Sequence, residues 1–308
     1  MLPLITGSIA FDYIMRVNGR FTERLPTPLH PGFSAAYATP SLRRAFGGCA
    51  GNIAYGLRQL GDSPTIMGTV GDDFSPYRKY LRSLDIDDTY VKTIPDIFTA
   101  QAYIINDDDN SQLILFHAGA ANEAHQQSIV DLPTPPPLAI VSPNGREGML
   151  RFGRELAAAQ TPFIFDPGQA IDLFSGEELI TLMEQCTWAI VNADEFAALE
   201  KTTGISRTRA TEMVQALIIT YGENGSEVFA SDTHYHADAA RLGETQDTTG
   251  CGDAYRAGVI HGLLRDWEWP RIIRFAAVVA GAKAVHNGGQ GYCITAAEAT
   301  THSEKIFS

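Results

Sequence analysis

The sequence predicts an α/β fold, with a mostly parallel central sheet flanked by helices and a small β-sheet set apart from it. Two observations carry this. Short apolar runs, each closed by a polar cluster, recur at helix-length spacing through the later half of the chain, and two earlier stretches break that alternation. Continuous apolar runs of this length, separated by helix-length segments, are the pattern of buried parallel strands in βαβ units.

The elements follow in order. Leu4, Ile5 and Thr6 form the first apolar run and lead into Gly7-Ser8-Ile9-Ala10. Residues 11–46 hold several aromatic residues with Pro26, Pro28 and Pro31, and few helix signals. A helix then opens from Phe46-Gly47-Gly48-Cys49-Ala50-Gly51-Asn52, with Ile53, Leu57 and Leu60 on one face. Residues 98–117 read as a β-hairpin turning at Asp107, Asp108, Asp109 and Asn110. Lying outside the βα alternation, the hairpin and residues 11–46 are assigned to the small β appendage. Pro133-Thr134-Pro135-Pro136-Pro137 is a stiff connector into the next strand.

Four apolar runs follow. Residues 138–141 close on Ser142-Pro143-Asn144, and residues 163–165 on Asp166-Pro167-Gly168-Gln169. Residues 188–191 close on Asn192-Ala193-Asp194-Glu195, and residues 217–219 on Thr220-Tyr221-Gly222-Glu223-Asn224-Gly225. Ligands of such sheets bind beyond the carboxyl ends of the strands, where these clusters fall, although any one of them also suits a turn or helix cap. No internal repeat occurs, and the length of 308 residues allows one large α/β domain or a core plus an appendage.

Composition narrows the function. The 308 residues are 44% hydrophobic and 19% charged, an ordinary globular balance that excludes a largely disordered chain. Lys+Arg 23 against Asp+Glu 36 leaves a net charge of −13. An acidic chain gains nothing from counterion release, so nucleic acid is not an expected partner, while local backbone dipoles can still hold a small anion. Cys49, Cys186, Cys251 and Cys293 form no C-x-x-C pair and read as reduced thiols of a cytoplasmic protein. The opening MLPLITGSIAFD lacks the basic region of a secretory signal, and no apolar run approaches eighteen residues, so no membrane partner is expected.

The strongest local signal is Gln246-Asp247-Thr248-Thr249-Gly250-Cys251-Gly252-Asp253. Ala257, Ile260, Leu263 and Leu264 then repeat at helical spacing, which puts Asp253 in a helix's first turn. Gly250 and Gly252 let a backbone with free N–H groups approach a ligand at the positive end of the helix dipole. If the anion is a phosphate, Asp253 stands where a carboxylate accepts a proton from an attacking hydroxyl. The same residues also suit a plain helix start whose acidic residue compensates the dipole. Gly47 to Asn52 is a second small-residue turn, with Asn52 offering donor and acceptor groups to hydroxyls. No G-x-x-x-x-G-K-[ST] occurs, and no G-x-G-x-x-G follows the first strand, so Walker-type NTPases and dinucleotide dehydrogenases are disfavoured.

Gly47-Gly48-Cys49-Ala50-Gly51-Asn52 resembles the first signature of the PfkB (ribokinase-like) carbohydrate kinase family, and Asp247-Thr248-Thr249-Gly250-Cys251-Gly252-Asp253 resembles its second. The two stand some two hundred residues apart in the family's order, and the resemblance covers essentially the whole chain. GSIAFDYIM, FGGCAGNIAYGL, FIFDPGQ, QALIIT and TGCGDAYRAG look most like a branch of bacterial nucleoside kinases similar to adenosine kinase.

The resemblance implies a Rossmann-like (ribokinase-like) core with a small β-sheet lid, as one domain over residues 1–308 with lid segments near 11–46 and 98–117 inserted in it, and an ATP-dependent phosphotransferase. It implies that Asp253 is the base and that the backbone amides of Gly250, Cys251 and Gly252 hold the γ-phosphate. Asp12, Gly48 and Asn52 would hold ribose hydroxyls, with Ser8 and Gln169 near the base. Asn192 and Glu195 match an N-x-x-E element that organises Mg²⁺ and its waters. Thr220, Gly222 and Gly225 match a segment beside the ATP phosphates, and Asn287 falls near the expected adenine site. Asp247 and Thr249 belong to a loop that binds a monovalent cation such as K⁺ in many relatives. The expected activity is transfer of the γ-phosphate of ATP to the 5′-hydroxyl of a purine nucleoside such as adenosine, inosine or guanosine. A sugar kinase of the same family, acting on ribose or fructose, is the rival reading, and monomer and homodimer both stay open. A non-catalytic nucleotide sensor is argued against by the complete glycine turn with its acidic residue.

Two departures stand out. Cys251 replaces the usual alanine, so either a thiol activated by the helix N-terminus or a small residue used only for its N–H is expected there. Tyr255 stands where phenylalanine is common and is expected in the core with its hydroxyl satisfied. Three other signals are set aside. His234 and His236 alternate on an expected strand without a third metal ligand, residues 107–110 lack the ligand spacing of an EF-hand, and His117 suits a strand end as well as a cleft.

Overall fold

The computed structural model describes residues 2–24, 32, 34, 36–109, 111–230 and 233–308; Pro26, Pro28, Pro31 and Asn110 lie outside the described residues. Thirteen strands are described: β1 (Leu4–Thr6), β2 (Ala10–Arg16), β3 (Ser41–Gly47), β4 (Thr65–Val70), β5 (Asp87–Thr93), β6 (Ala100–Asn106), β7 (Gln112–His117), β8 (Ala139–Val141), β9 (Phe163–Phe165), β10 (Trp188–Asn192), β11 (Ala216–Thr220), β12 (Ser226–Ala230) and β13 (Thr233–Ala237).

Nine strands form one sheet in the order β13-β12-β11-β10-β9-β8-β1-β4-β5. The seven from β11 to β5 pair in parallel, and β12 and β13 add an antiparallel edge. The four apolar runs of the later half are β8, β9, β10 and β11, as expected from sequence. Their unbroken hydrophobicity follows from burial on both faces. Ile5, Ile140, Ile164, Ile190 and Ile218 enter one core, while Leu4, Val141, Phe165, Val191 and Ile219 enter the other. Each strand thus feeds two cores with successive side chains, the period of two that a pleat imposes.

Helices cover both faces. Cys49–Gln59, Cys251–Leu263 and Trp269–Ala284 close one core, with Ile53, Leu57, Ile260 and Ile273 fully buried. Arg146–Ala158, Gly176–Gln185 and Ala193–Thr203 close the other. The Cys251–Leu263 and Trp269–Ala284 helices approach closely because Gly258 has no side chain, and a Cβ there would lie 2.6 Å from Cα of Ala276. Among the described residues no helix is long and apolar enough to cross a membrane.

The remaining strands form a four-stranded sheet in the order β3-β2-β6-β7. The expected hairpin is β6–β7, while β2 pairs antiparallel with β3 and parallel with β6. The chain crosses from β1 in the large sheet to β2 in the small one through Gly7-Ser8-Ile9, so the two sheets meet at that turn. Aromatic stacking holds the junction: Phe46 stacks on Tyr77 and Tyr80 with ring centroids 4.6 and 4.5 Å apart. Tyr13 stacks on Tyr103 at 5.1 Å within the small sheet.

Candidate active site

The residues that close β10 and β11 line one cavity with the N-terminus of the Cys251–Leu263 helix, and Asp166, after β9, pairs with Arg256 of that helix. Gly250 is the residue before that helix and has the left-handed backbone φ +80°. A Cβ there would lie 2.8 Å from Cα of Gly289, so conformation and space both call for glycine. Ala254 N–H donates to Gly250 O at 2.9 Å, starting the helix. Among the described residues the N–H groups of Gly250 and Gly252 make no backbone hydrogen bond, whereas Cys251 N–H donates to Thr248 O at 3.1 Å. Two of the three amides expected in the anion cradle are therefore free, and the third closes the turn that presents them.

Asp253 follows in the first turn, and Asn52 Nδ2 donates to its Oδ2 at 2.8 Å. Burial and the neighbouring Asp166 raise the Asp253 pKa to about 6, against the opposing pull of Arg256, Asn52 and Cys49. Asn52 is itself held. Its Oδ1 accepts from Gln290 Nε2 at 3.0 Å, and the same Nε2 lies 2.6 Å from Tyr77 Oη, which donates to Gly47 O at 3.0 Å. Gln290 and Tyr77 escaped sequence reasoning because neither belongs to a motif and each acts through another side chain.

Asp12, on β2, is buried, and burial with the charge of Asp253 raises its pKa to about 7. The charge of Asp253 is thus felt at Asp12, across from it on the small sheet. Arg43 of β3 opposes the Asp12 shift and lies by Gly288, where a Cβ would be 3.5 Å from its Nη1. Gly48 has φ +85°, and a Cβ there would lie 2.5 Å from Ser8 O. Ser8 Oγ accepts from Cys49 N–H at 3.1 Å, so this residue caps the helix that carries Asn52. Gln169 follows β9 with its side chain exposed, and among the described residues it makes no hydrogen bond to the others.

On the other side of Gly252 lies a cavity of about 970 Å³ lined by Asn192, Glu195, Thr220, Gly222 and Gly225, with Arg256 at its wall. Asn192 and Glu195 cap their own helix reciprocally: Asn192 Oδ1 accepts from Glu195 N–H at 2.8 Å, and Glu195 Oε2 accepts from Asn192 N–H at 2.7 Å. Glu195 Oε1 is left to the cavity. Asn287 is exposed and does not line this space; Ala280, Gly281, Ala284 and Val285 do. A second depression of about 710 Å³, by Trp267 and Arg271, lies away from these residues.

Asp247 Oδ1 accepts from Thr249 N–H at 2.8 Å and Oδ2 from Gly288 N–H at 2.7 Å. Burial opposes its charge, but these donors outweigh burial and hold the carboxyl below its ordinary pKa. Lys283, buried in the helix behind, donates from Nζ to Asp247 O at 2.6 Å and His286 O at 3.0 Å. An ammonium therefore already occupies the carbonyls of this loop. The Cys251 thiol is pushed up in pKa, chiefly by burial, against the opposing charge of Lys283.

Tyr255 Oη pairs with Ser226 Oγ at 2.8 Å. His234 and His236 pair with Glu227 and Asp238, His117 is exposed, and Asp107 binds the N–H groups of Phe21, Asp109 and Ser111. Among the described residues no group of three or more His, Cys, Asp or Glu could hold a metal. The other unforeseen residue is Arg256, whose Nε and Nη2 bind the two oxygens of Asp166 at 2.5 and 2.6 Å. Its spacing, three positions after Asp253 on one helix face, was the available signal.

Residues 9–297 match the pfkB family of carbohydrate kinases. A nucleoside kinase of Methanocaldococcus jannaschii is 30% identical over 264 residues, covering 85% of this chain and 83% of that protein. A nucleoside kinase of Burkholderia thailandensis, solved in complex with inosine, is 40% identical with TM-score 0.91, covering 99% of this chain and 97% of that one. The same enzyme has been solved in complex with ADP-inosine, with TM-score 0.88 over 99% and 96% of the two chains. The chain belongs to the pfkB family of carbohydrate kinases.

Proposed function

We propose that this pfkB-family member is an ATP-dependent nucleoside kinase, transferring the γ-phosphoryl group to the 5′-hydroxyl of a nucleoside ribose. The observation that carries the reading is the position of Asp253, beside the free amides of the glycine turn, bonded to Asn52 and within electrostatic reach of Asp12. ATP is assigned to the cavity beside Gly252, with Asn192, Thr220, Gly222 and Gly225 along the phosphates. The ribose is assigned to Asp12, Gly48 and Asn52, and the base lies toward Ser8 and Gln169. Inosine in the 40% identical Burkholderia enzyme supports a purine nucleoside.

In the reaction the 5′-oxygen attacks the γ-phosphorus. A new O–P bond forms, the bond to the β–γ bridging oxygen breaks, ADP leaves, and the hydroxyl proton passes to Asp253. With a pKa of about 6, Asp253 is mostly carboxylate at neutral pH yet basic enough to take that proton. Asn52 fixes its orientation. The amides of Gly250 and Gly252, with the helix dipole, meet the charge that spreads over the phosphoryl oxygens. The small sheet, which carries Asp12, is assigned as the lid that would exclude water.

Mg²⁺ fits this site in that Glu195, whose Oε2 accepts from Asn192 N–H, has Oε1 left on the cavity and would hold waters of an ion bound to the ATP phosphates. When bound it neutralises phosphate charge. A free monovalent ion fits the Asp247 and Thr249 loop poorly. Lys283 Nζ stands on its carbonyls, and both Asp247 oxygens accept N–H groups. We assign the cation of that loop to Lys283. The four cysteines, all free, support a cytoplasmic setting.

ADP release from Mg·ATP across a panel of nucleosides and free sugars tests the reading. Turnover with purine nucleosides but not ribose or fructose is expected; turnover only with a free sugar would transfer Asp253 to the rival substrate.

A further inference from the structure

The mechanism above leaves the Asp166–Arg256 pair unused. Both side chains are buried, 1% and 9% exposed. A buried ion pair is weak evidence of a stabilising role, since well-packed apolar residues of similar volume often serve the fold as well or better. A guanidinium kept at the wall of a ligand cavity therefore calls for a reason in the ligand.

The geometry supplies one. Asp166 occupies only Nε and Nη2, the outer edge of the guanidinium fork. Nη1 makes no hydrogen bond to a described residue and lies beside the glycine turn, since a Cβ on Gly252 would sit 2.9 Å from it. Gly252 and Arg256 are four positions apart on one helix face, and both line the 970 Å³ cavity. Glycine at 252 thus leaves the space through which Nη1 faces the free amides. Asp166, Glu195 and Asp253 all act electrostatically on Arg256. Of these carboxylates Glu195 lines the cavity, and the charge of Arg256 opposes it where a triphosphate would enter.

We propose that Arg256 is a further catalytic residue, an arginine clamp built into the helix, whose Nη1 donates to an oxygen of the transferring phosphoryl group while Asp166 holds the guanidinium in place. Arg256 stays protonated throughout: the O–P bond forms to the 5′-oxygen, the bond to ADP breaks, and the proton goes to Asp253 as before. Arginine suits the task because one planar group binds a carboxylate along one edge and a phosphate along another, which a lysine cannot do. Arg256 thereby gains a role that neither glycine motif assigns, and the assignment rests on the kinase reading.

The test compares wild type, Arg256→Met and Arg256→Lys with Mg·ATP and inosine. Arginines that stabilise transferring phosphoryl groups are worth about 10³–10⁵ in rate, and removal of a single preorganised donor costs about 10²–10³. We expect kcat to fall at least about a hundredfold in both variants, since lysine cannot satisfy Asp166 and the phosphoryl group together. Inosine and ADP dissociation constants should stay within about threefold, because neither ligand carries the transferring group. In wild type, aluminium fluoride should tighten the ADP–inosine complex, and both variants should lose that gain. Arg256→Lys keeps the charge and is read whether or not Arg256→Met folds. Turnover of Arg256→Lys within tenfold of wild type would overturn the proposal, as would its retaining the fluoride-dependent gain, or losing inosine, ADP and fluoride affinity together, as an anchor of the fold would. A wild-type enzyme that phosphorylates no nucleoside or sugar would instead overturn the kinase reading.

Discussion

Asn52 Nδ2 and Asp253 Oδ2 are 2.8 Å apart although 201 positions separate them in the chain. This bond ties the helix after the first glycine turn to the helix after the second. It fixes the carboxylate where both motifs are needed to make a site. Asp253→Asn keeps the size and a hydrogen-bonding side chain but cannot accept the proton. Its kcat is expected to fall by about 10²-fold or more at unchanged thermal unfolding. Steady-state kinetics and a melting curve on the same preparation check this, and near-normal turnover would remove Asp253 from the role of base.

The pH dependence follows from the same carboxylate. Asp253 must be deprotonated to act, and its pKa is raised to about 6. Activity is therefore present above that value and lost as pH falls through it, about tenfold per unit well below. Asp12, raised to about 7, feels the charge of Asp253, so the acid limb reports the coupled pair and broadens toward neutrality. A profile of kcat/KM from pH 5 to 8 that stays flat would contradict the assignment.

Lys283 gives a prediction about salts. With an ammonium bound to Asp247 O and His286 O, turnover in a potassium-free buffer is expected to equal that in K⁺ within about twofold. Lys283→Met leaves those carbonyls without a donor, and its activity should fall and recover on adding K⁺ or NH₄⁺. Strict dependence of the wild type on K⁺ would refute the tethered-cation reading.

Gly250→Ala tests the turn itself. The left-handed backbone costs a non-glycine residue on the order of 1–2 kcal/mol, and the added methyl would meet Gly289 Cα at 2.8 Å. The variant is expected to melt several degrees lower and to lose ATP-dependent turnover at least tenfold, as measured by calorimetry and ADP release.

Much of this was legible in the sequence because it is local. The apolar runs of β8 to β11 declare burial on both faces, and the polar residues after them mark the carboxyl ends where Asn192 and Thr220 line the cavity. The turns at Gly48 and Gly250 declare themselves through glycines that their positive φ requires. What stayed hidden is made by distance. The parallel pairing of β2 with β6 joins two stretches some ninety positions apart, and no periodicity announces it. Tyr77, Gln290 and Lys283 act through Asn52 and the Asp247 loop, and only the folded chain brings them there. Asn287, expected near the adenine from the resemblance, lies on an exposed turn, while the small residues of the helix end line the cavity.

The most direct measurement is ³¹P NMR of the products formed from Mg·ATP and inosine. The account predicts loss of the γ-phosphate resonance, with matched appearance of ADP and a 5′-monophosphate whose phosphorus couples to the two 5′ protons. Release of inorganic phosphate without a phosphorylated nucleoside, or phosphate at any other hydroxyl, would contradict it.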